Sequence, residues 1–230
     1  MAARPIKTLM AWSTGKDSAY ALSALRCDPG IEVVGLLSTL NAAVDRVSMH
    51  GVHVSVLEAQ ARACRLPLRK VPLPDPCSEE DYRTAMTETV RKACAEGVEA
   101  IAFGDLFLSD VRAYREANLA GTGITPLFPL WGRQTLSLAN EMIGAGLEAV
   151  ITCVDTDQLD RSFLGRMFDG RLLGDLPPEV DPCAENGEFH TLAVAGPMFA
   201  RRLGVEVGAV VERGQFVFVD VALEEDASIV

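Results

Sequence analysis

The chain has 230 residues, 49% hydrophobic and 23% charged, an ordinary globular composition with length for one large domain or two small ones. Its formal net charge of −11 excludes a broad non-specific grip on nucleic acid, which needs a field of Lys and Arg. No stretch reaches the length of a transmembrane helix and the N-terminal apolar run is too short for a signal peptide; six scattered cysteines (Cys27, Cys64, Cys77, Cys94, Cys153 and Cys183), with no CxxC pair or zinc-ligand spacing, predict reduced thiols in the cytoplasm.

In chain order, "KTLMAW" reads as a strand, "STGKDS" (13–18) as a turn and "DSAYALSALRC" as a helix with apolar residues at helical spacing. "IEVVGLLST" is a second strand, "GVHVSVLEAQARAC" a second amphipathic helix and "PLRKVPLP" a short strand closed by prolines. "SEEDYRTAMTETVRKACAEG" has a Ser and acidic residues at its start and a Gly at its end, the signature of a capped helix. "VEAIAFGD" is the fourth strand, with Gly104 and Asp105 at its C-terminal end. Strands alternating with helices predict right-handed crossovers and a parallel sheet, whose ligands collect beyond the C-terminal ends of the strands.

Beyond about residue 125 the texture changes. "TPLFPLWGR" is rich in proline and aromatics, "RQTLSLANEMIGAG" is a helix, "LEAVITCVD" a strand, and a loop-rich stretch from 168 to 190 leads into short strands such as "HTLAVA", "EVGAVVERG" and "QFVFVDVALEED". Two domains are expected, 1–124 and 125–230, with the acidic tail "EEDASIV" frayed.

The turn at 13–18 has two readings. Backbone N–H groups at a helix N-terminus attract anions, Gly15 supplies φ freedom, and Lys16 adds a point charge. Alternatively Ser13 or Asp17 simply caps the helix and Lys16 is solvated. It is not a Walker A loop, because Met10 stands where that pattern needs Gly and Asp17 where it needs Ser or Thr.

"STGKDS" resembles the SGGKDS signature of PP-loop ATP pyrophosphatases, the adenine nucleotide alpha hydrolase-like group, with Thr14 in place of the middle Gly. "FGDLFLSDVRAYREANLAGTGITPLFPLWGR" (103–133), "VITCVD" (150–155) and "DPCAENGEFHTLAVAGPMF" (181–199) extend the resemblance to the diphthine-ammonia ligase family, in unbroken order from about residue 7 to about residue 200. The resemblance implies an α/β fold: a Rossmann-like, parallel-sheet nucleotide-binding domain followed by a smaller α/β domain with short C-terminal strands. It also implies ATP and magnesium, and ligase chemistry in which a carboxylate is adenylated and amidated by ammonia, releasing AMP and pyrophosphate. The acceptor it names is diphthine on elongation factor 2. Alternatives are a PP-loop enzyme acting on tRNA and a non-catalytic ATP or AMP sensor.

The expected nucleotide site is Ser13, Thr14, Gly15, Lys16, Asp17 and Ser18, with Gly104 and Asp105 at the strand end. Asp105 and Asp110 are candidate magnesium ligands, since that ion takes one or two carboxylates besides phosphate oxygens and water; the plain alternative makes Asp110 a helix-start charge and pairs Arg112 with Glu116. Arg112, Arg115 and Arg133 are candidate substrate contacts, Arg133 as an anion clamp, while Leu127, Phe128, Leu130 and Trp131 read mainly as core. "AENGEFHTL" reads either as a solvated hairpin tip or, by the resemblance, as a substrate motif in which Glu185, Asn186, Glu188 and His190 bind acceptor or ammonia. Ammonium must lose a proton before attack, so Glu185, Glu188 and His190 join Lys16 and Asp17 as candidate catalytic groups. His50 and His53 lie at i, i+3 without further ligands nearby, so they read as a loop entering a helix, with His53 near the substrate pocket. The expected partners are small molecules, with no membrane and room for a homodimer.

Overall fold

The computed structural model describes residues 4–43, 46–47 and 52–224. Most of the tail read as frayed, and His50, lie outside the described residues. The first half runs β1 (Ile6–Ala11), α1 (Lys16–Arg26), β2 (Ile31–Asn41), β3 (Arg46–Val47), α2 (Val54–Cys64), β4 (Leu68–Leu73), α3 (Glu79–Ala95), β5 (Ala100–Ala102), α4 (Ser109–Leu119) and β6 (Thr125–Leu127). The second half runs α5 (Thr135–Gly144), β7 (Glu148–Asp155), a 3-10 turn at Arg161–Phe163, α6 (Gly170–Asp175), β8 (Phe189–Ala195), β9 (Val205–Arg213) and β10 (Phe216–Leu223).

The first sheet is mostly parallel. β1 pairs with β2 on one side and β5 on the other, β5 pairs with β6, and β2 with β4; the two-residue β3 alone is antiparallel. Its strands are apolar on both faces, as burial between helix layers requires. Leu9, Leu37, Val71 and Ile101 pack on one side with Val90 and Ala93 of α3, and Met10, Leu36 and Ala102 on the other with Ala21 and Leu22 of α1. The second sheet is smaller and antiparallel, in the order β8-β7-β10-β9. The core containing Met10 and Leu22 continues into Leu138, Ile151, Phe168 and Leu192, so the second sheet and its helices pack directly on the α1 side of the first.

Local signals act as the sequence implies at α3, where Ser78 Oγ accepts the Asp81 N–H at 3.1 Å and Asp81 accepts the Ser78 N–H at 3.1 Å, a reciprocal capping box. α1 differs. Its N-cap is Gly15, no side chain caps it, and Asp17 sits inside the first turn, so the plain-cap reading of 13–18 fails. The strand at Thr125–Leu127 was not apparent from "TPLFPL", because its pairing with β5 is set by the neighbour rather than by its own pattern. Among the described residues no helix is long and apolar enough to cross a membrane.

Candidate active site

β1 delivers the turn 13–18 to the C-terminal edge of the parallel sheet, between neighbours β2 and β5, where the chain leaves in opposite directions. A cleft of about 760 Å³ opens there. Ser13, Asp17 and Ser18 form one wall with Gly104, Asp105 and Arg115, while Thr39 and Asn41 of β2 and Tyr82 of α3 extend it sideways. Glu185 and His190, from the second half of the chain, complete the lining.

The loop is internally tied. Ser13 Oγ lies 3.1 Å from Ser18 Oγ, which donates to the Gly15 carbonyl at 3.0 Å, and the Gly15 N–H reaches Ser13 Oγ at 3.4 Å. Thr14 has φ 74, a left-handed conformation that a β-branched residue adopts only under constraint. Gly104 follows β5 so closely that a Cβ there would lie 2.9 Å from Ser18 N and 3.0 Å from the Asp17 carbonyl carbon. Only glycine lets the end of β5 approach the start of α1 this way.

Lys16 does not project into the cleft. It is 2% exposed; its Nζ donates to Asp17 Oδ2 at 2.9 Å and to the Cys183 carbonyl, with the Phe168 and Phe189 rings 5.5 and 5.7 Å away. Its backbone N–H donates to Thr191 Oγ1 at 3.1 Å. Burial opposes the Lys16 charge, but Asp17, with Cys183 and Glu185, outweighs it and holds the ammonium's pKa above its ordinary value. Burial pushes the Asp17 carboxyl up against the pull of Lys16, and its Oδ1 is a buried acceptor without a partner among the described residues. The expected phosphate-facing charge is therefore an internal strut between the loop and the 181–191 segment, because the aromatic and carbonyl atoms behind the loop complete its surroundings.

The 181–190 segment is a built turn rather than a solvated tip. Asp181 Oδ1 accepts the N–H groups of Cys183 (2.9 Å) and Glu185 (3.2 Å), and Glu188 Oε1 accepts the Asp181 N–H at 2.9 Å and Asn186 Nδ2 at 3.0 Å. Ala184 and Gly187, at φ 56 and 87, turn the chain. Glu188 is thus a buried brace with one oxygen unpartnered among the described residues, and neither it nor Asn186 lines the cleft. Glu185 does. Its Oε1 accepts the Leu106 N–H at 2.6 Å and the Phe107 N–H at 3.3 Å, yet burial, with the charges of Asp17 and Asp105, pushes its pKa up to about 7. Burial and then the charge of Lys16 lower His190, keeping its imidazole neutral at pH 7.

The remaining candidates divide. Arg115 lines the cleft, its Nε 3.4 Å from Asp105 Oδ2 and its guanidinium over Phe103. Arg112 pairs with Glu116 at 2.8 Å, the plain reading of that motif, and its guanidinium lies 4.7 Å from the ring centres of both Phe128 and Trp131. Arg133 gives its fork to Glu141, at 3.0 Å through Nη1 and also through Nη2, away from the cleft lining, so it has no fork left for an anion. Asp110 is exposed in the first turn of α4, outside the lining, and His53 caps α2 by accepting the Ser55 N–H at 3.2 Å rather than lining this cleft. Sequence reasoning missed Thr191, Asp181 and Gln60. The last was signalled only by one carboxamide among the apolar residues of α2.

A tight turn after the first strand and a cleft at the strand ends, lined also by Glu185 and His190 from the second half of the chain, belong to a Rossmann-like α/β protein. The family model described as the diphthamide synthase N-terminal domain matches residues 6–123, and that of the diphthamide synthase C-terminal domain matches 134–222. The chain belongs to the diphthamide synthase family. Relatives named diphthine–ammonia ligase include one from Schizosaccharomyces pombe, 26% identical over 227 residues, covering 90% of this chain and 37% of that protein. Those from Bos taurus and Homo sapiens are each 27% identical over 234 residues, covering 91% of this chain and 86% of theirs. The chain thus spans little more than a third of the fission yeast relative and most of the Bos taurus and Homo sapiens ones.

Proposed function

We propose that the chain is an ATP-dependent ligase that adenylates a carboxylate and amidates it with ammonia, in the cytoplasm, with diphthine as the acceptor named by its relatives. The observation that carries this reading is one cleft shared by the 13–18 loop and Glu185, a carboxyl with a pKa of about 7. The relatives' names favour amidation over the tRNA-directed and sensor alternatives.

A carboxylate is a poor electrophile, and adenylation gives it a leaving group. An acceptor oxygen attacks the α-phosphorus of ATP and pyrophosphate departs; ammonia then attacks the acyl carbon and AMP departs. Arg115, the only Arg or Lys among the described residues lining the cleft, meets the phosphates together with the Ser13 and Ser18 hydroxyls. Glu185 accepts the proton that ammonium must lose, because a base with a pKa near 7 is both ionised and basic enough at neutral pH. The neutral His190 imidazole faces the same space as a second acceptor.

Magnesium fits Asp17 better than Asp110, because Asp17 lines the cleft and keeps one buried oxygen without a partner among the described residues. Asp105 is the second carboxylate on that wall. Held by these two carboxylates, the ion would supply charge neutralisation on the leaving pyrophosphate.

The test is product analysis with magnesium-ATP and ammonium, adding in turn desalted extract, a metabolite pool and diphthine-bearing elongation factor 2. AMP and pyrophosphate appearing only with an acceptor support the reading. ATP unchanged with every addition, or ADP as the product, overturns it.

A further inference from the structure

Gln60, on α2, is completely buried and makes three hydrogen bonds. Its Oε1 accepts from Trp12 Nε1 at 2.8 Å, and its Nε2 donates to the carbonyls of Thr14 at 3.0 Å and Ala193 at 2.7 Å. The orientation of the amide follows from its partners: rotated, it would set its NH2 against the indole N–H and its oxygen against two carbonyls. The Thr14 carbonyl also accepts the Ala193 N–H at 2.9 Å. One side chain therefore joins the end of β1, the middle of the 13–18 loop and strand β8.

We infer that Gln60 is a positioning residue of the ligase reaction, setting the direction of the Gly15 N–H and through it the Ser13 hydroxyl that lines the cleft; this rests on the loop's proposed hold on ATP. The reason is peptide geometry. The Thr14 carbonyl and the Gly15 N–H belong to one planar trans peptide and point in opposite directions. Two hydrogen bonds hold the carbonyl on one side, so the N–H points the other way and reaches the hydroxyl of Ser13, a cleft residue, at 3.4 Å. Thr14 at φ 74 has no intrinsic preference for this conformation, so the bonds from Gln60 and Ala193 maintain it. Because Ala193 belongs to β8, which also carries His190, the same carboxamide fixes the loop relative to the second half of the site.

The experiment compares Gln60→Met with Leu203→Ala by ATP titration calorimetry and thermal unfolding of the full chain. Methionine keeps the length of the side chain and removes both donors. Leu203 packs on Ala59 and Ala63 and loosens the same helix without touching the carboxamide. Gln60→Met is expected to weaken ATP binding about tenfold, the effect of a loss near 1.4 kcal/mol. Leu203→Ala, although less stable than wild type, is expected to keep the wild-type dissociation constant. Should Gln60→Met not fold, Gln60→Glu is read the same way, since it keeps the shape and the acceptor for Trp12 and replaces the NH2 that donates to both carbonyls. Wild-type affinity in a folded Gln60 variant, or equal weakening in Leu203→Ala, overturns the inference alone. Absence of ATP binding in the wild-type chain overturns the ligase reading and this inference with it.

Discussion

Glu185 accepts the backbone N–H of Leu106 at 2.6 Å, so a carboxylate from the second half of the chain is tied to the loop that follows β5. That bond fixes the carboxyl over the cleft, while burial raises its pKa to about 7. The base is ionised above that value, so the ammonia-dependent rate should rise with pH through about 7. In Glu185→Gln this limb should vanish, with a rate loss of about 10²–10⁴-fold and little change in ATP affinity. A pH profile of AMP formation for the two proteins checks it; an unchanged limb in the variant assigns the titration elsewhere.

The same shift has a stability consequence. A carboxyl whose folded pKa exceeds its ordinary value of 4.5 binds its proton more tightly in the folded state. Its favourable contribution is complete below 4.5 and is lost as pH rises through about 7. Urea unfolding should therefore show Glu185→Gln gaining on wild type between pH 5 and pH 8, and a constant difference across that window would contradict the burial of the charge.

Lys16→Ala should lower stability as well as activity. The ammonium is buried against Asp17 and the Cys183 carbonyl, and removing one partner of a buried ion pair costs about 3–5 kcal/mol because the other charge stays behind. The double variant Lys16→Met with Asp17→Asn should recover part of that loss. A midpoint for Lys16→Ala equal to wild type in chemical denaturation would place the ammonium in solvent.

Gly104→Ala inserts a methyl group 2.9 Å from Ser18 N, against backbone rather than a yielding side chain. Overpacking of this kind costs about 1–3 kcal/mol. Because the displaced atoms belong to the loop, ATP affinity should fall together with the thermal midpoint. Calorimetric titration showing wild-type affinity would separate the loop from the nucleotide.

Arg133→Ala provides the opposite expectation. Its guanidinium is held by Glu141 and lies outside the cleft lining, so ATP affinity and turnover should stay at wild-type values, with a stability change within about 1 kcal/mol, as for exposed pairs. A clear rise in the KM for ATP would restore its role as an anion clamp.

The alternation of strands and helices, the Ser78 cap and the position of Gly104 at a strand end were legible because each depends on local pattern or on a rule of parallel sheets. Glu185 and His190 were legible as a motif, but their separation in role from Glu188 was not. That depends on Glu188 bracing the Asp181 N–H from within the same turn. Lys16 shows the limit most directly, since what determines its direction is a carbonyl 167 residues further along the chain. Gln60 is the reverse case: a polar residue on an apolar helix face signals a partner, but only the fold reveals that the partners are Trp12, Thr14 and Ala193.

The most direct test of the ligase reading is transfer of nitrogen. With magnesium-ATP, 15N-ammonium and diphthine-bearing elongation factor 2, mass spectrometry of the acceptor and quantitation of AMP should show one 15N amide formed per AMP released, and neither with Glu185→Gln. AMP released without 15N in the acceptor, or 15N incorporated with ADP as the nucleotide product, would contradict it.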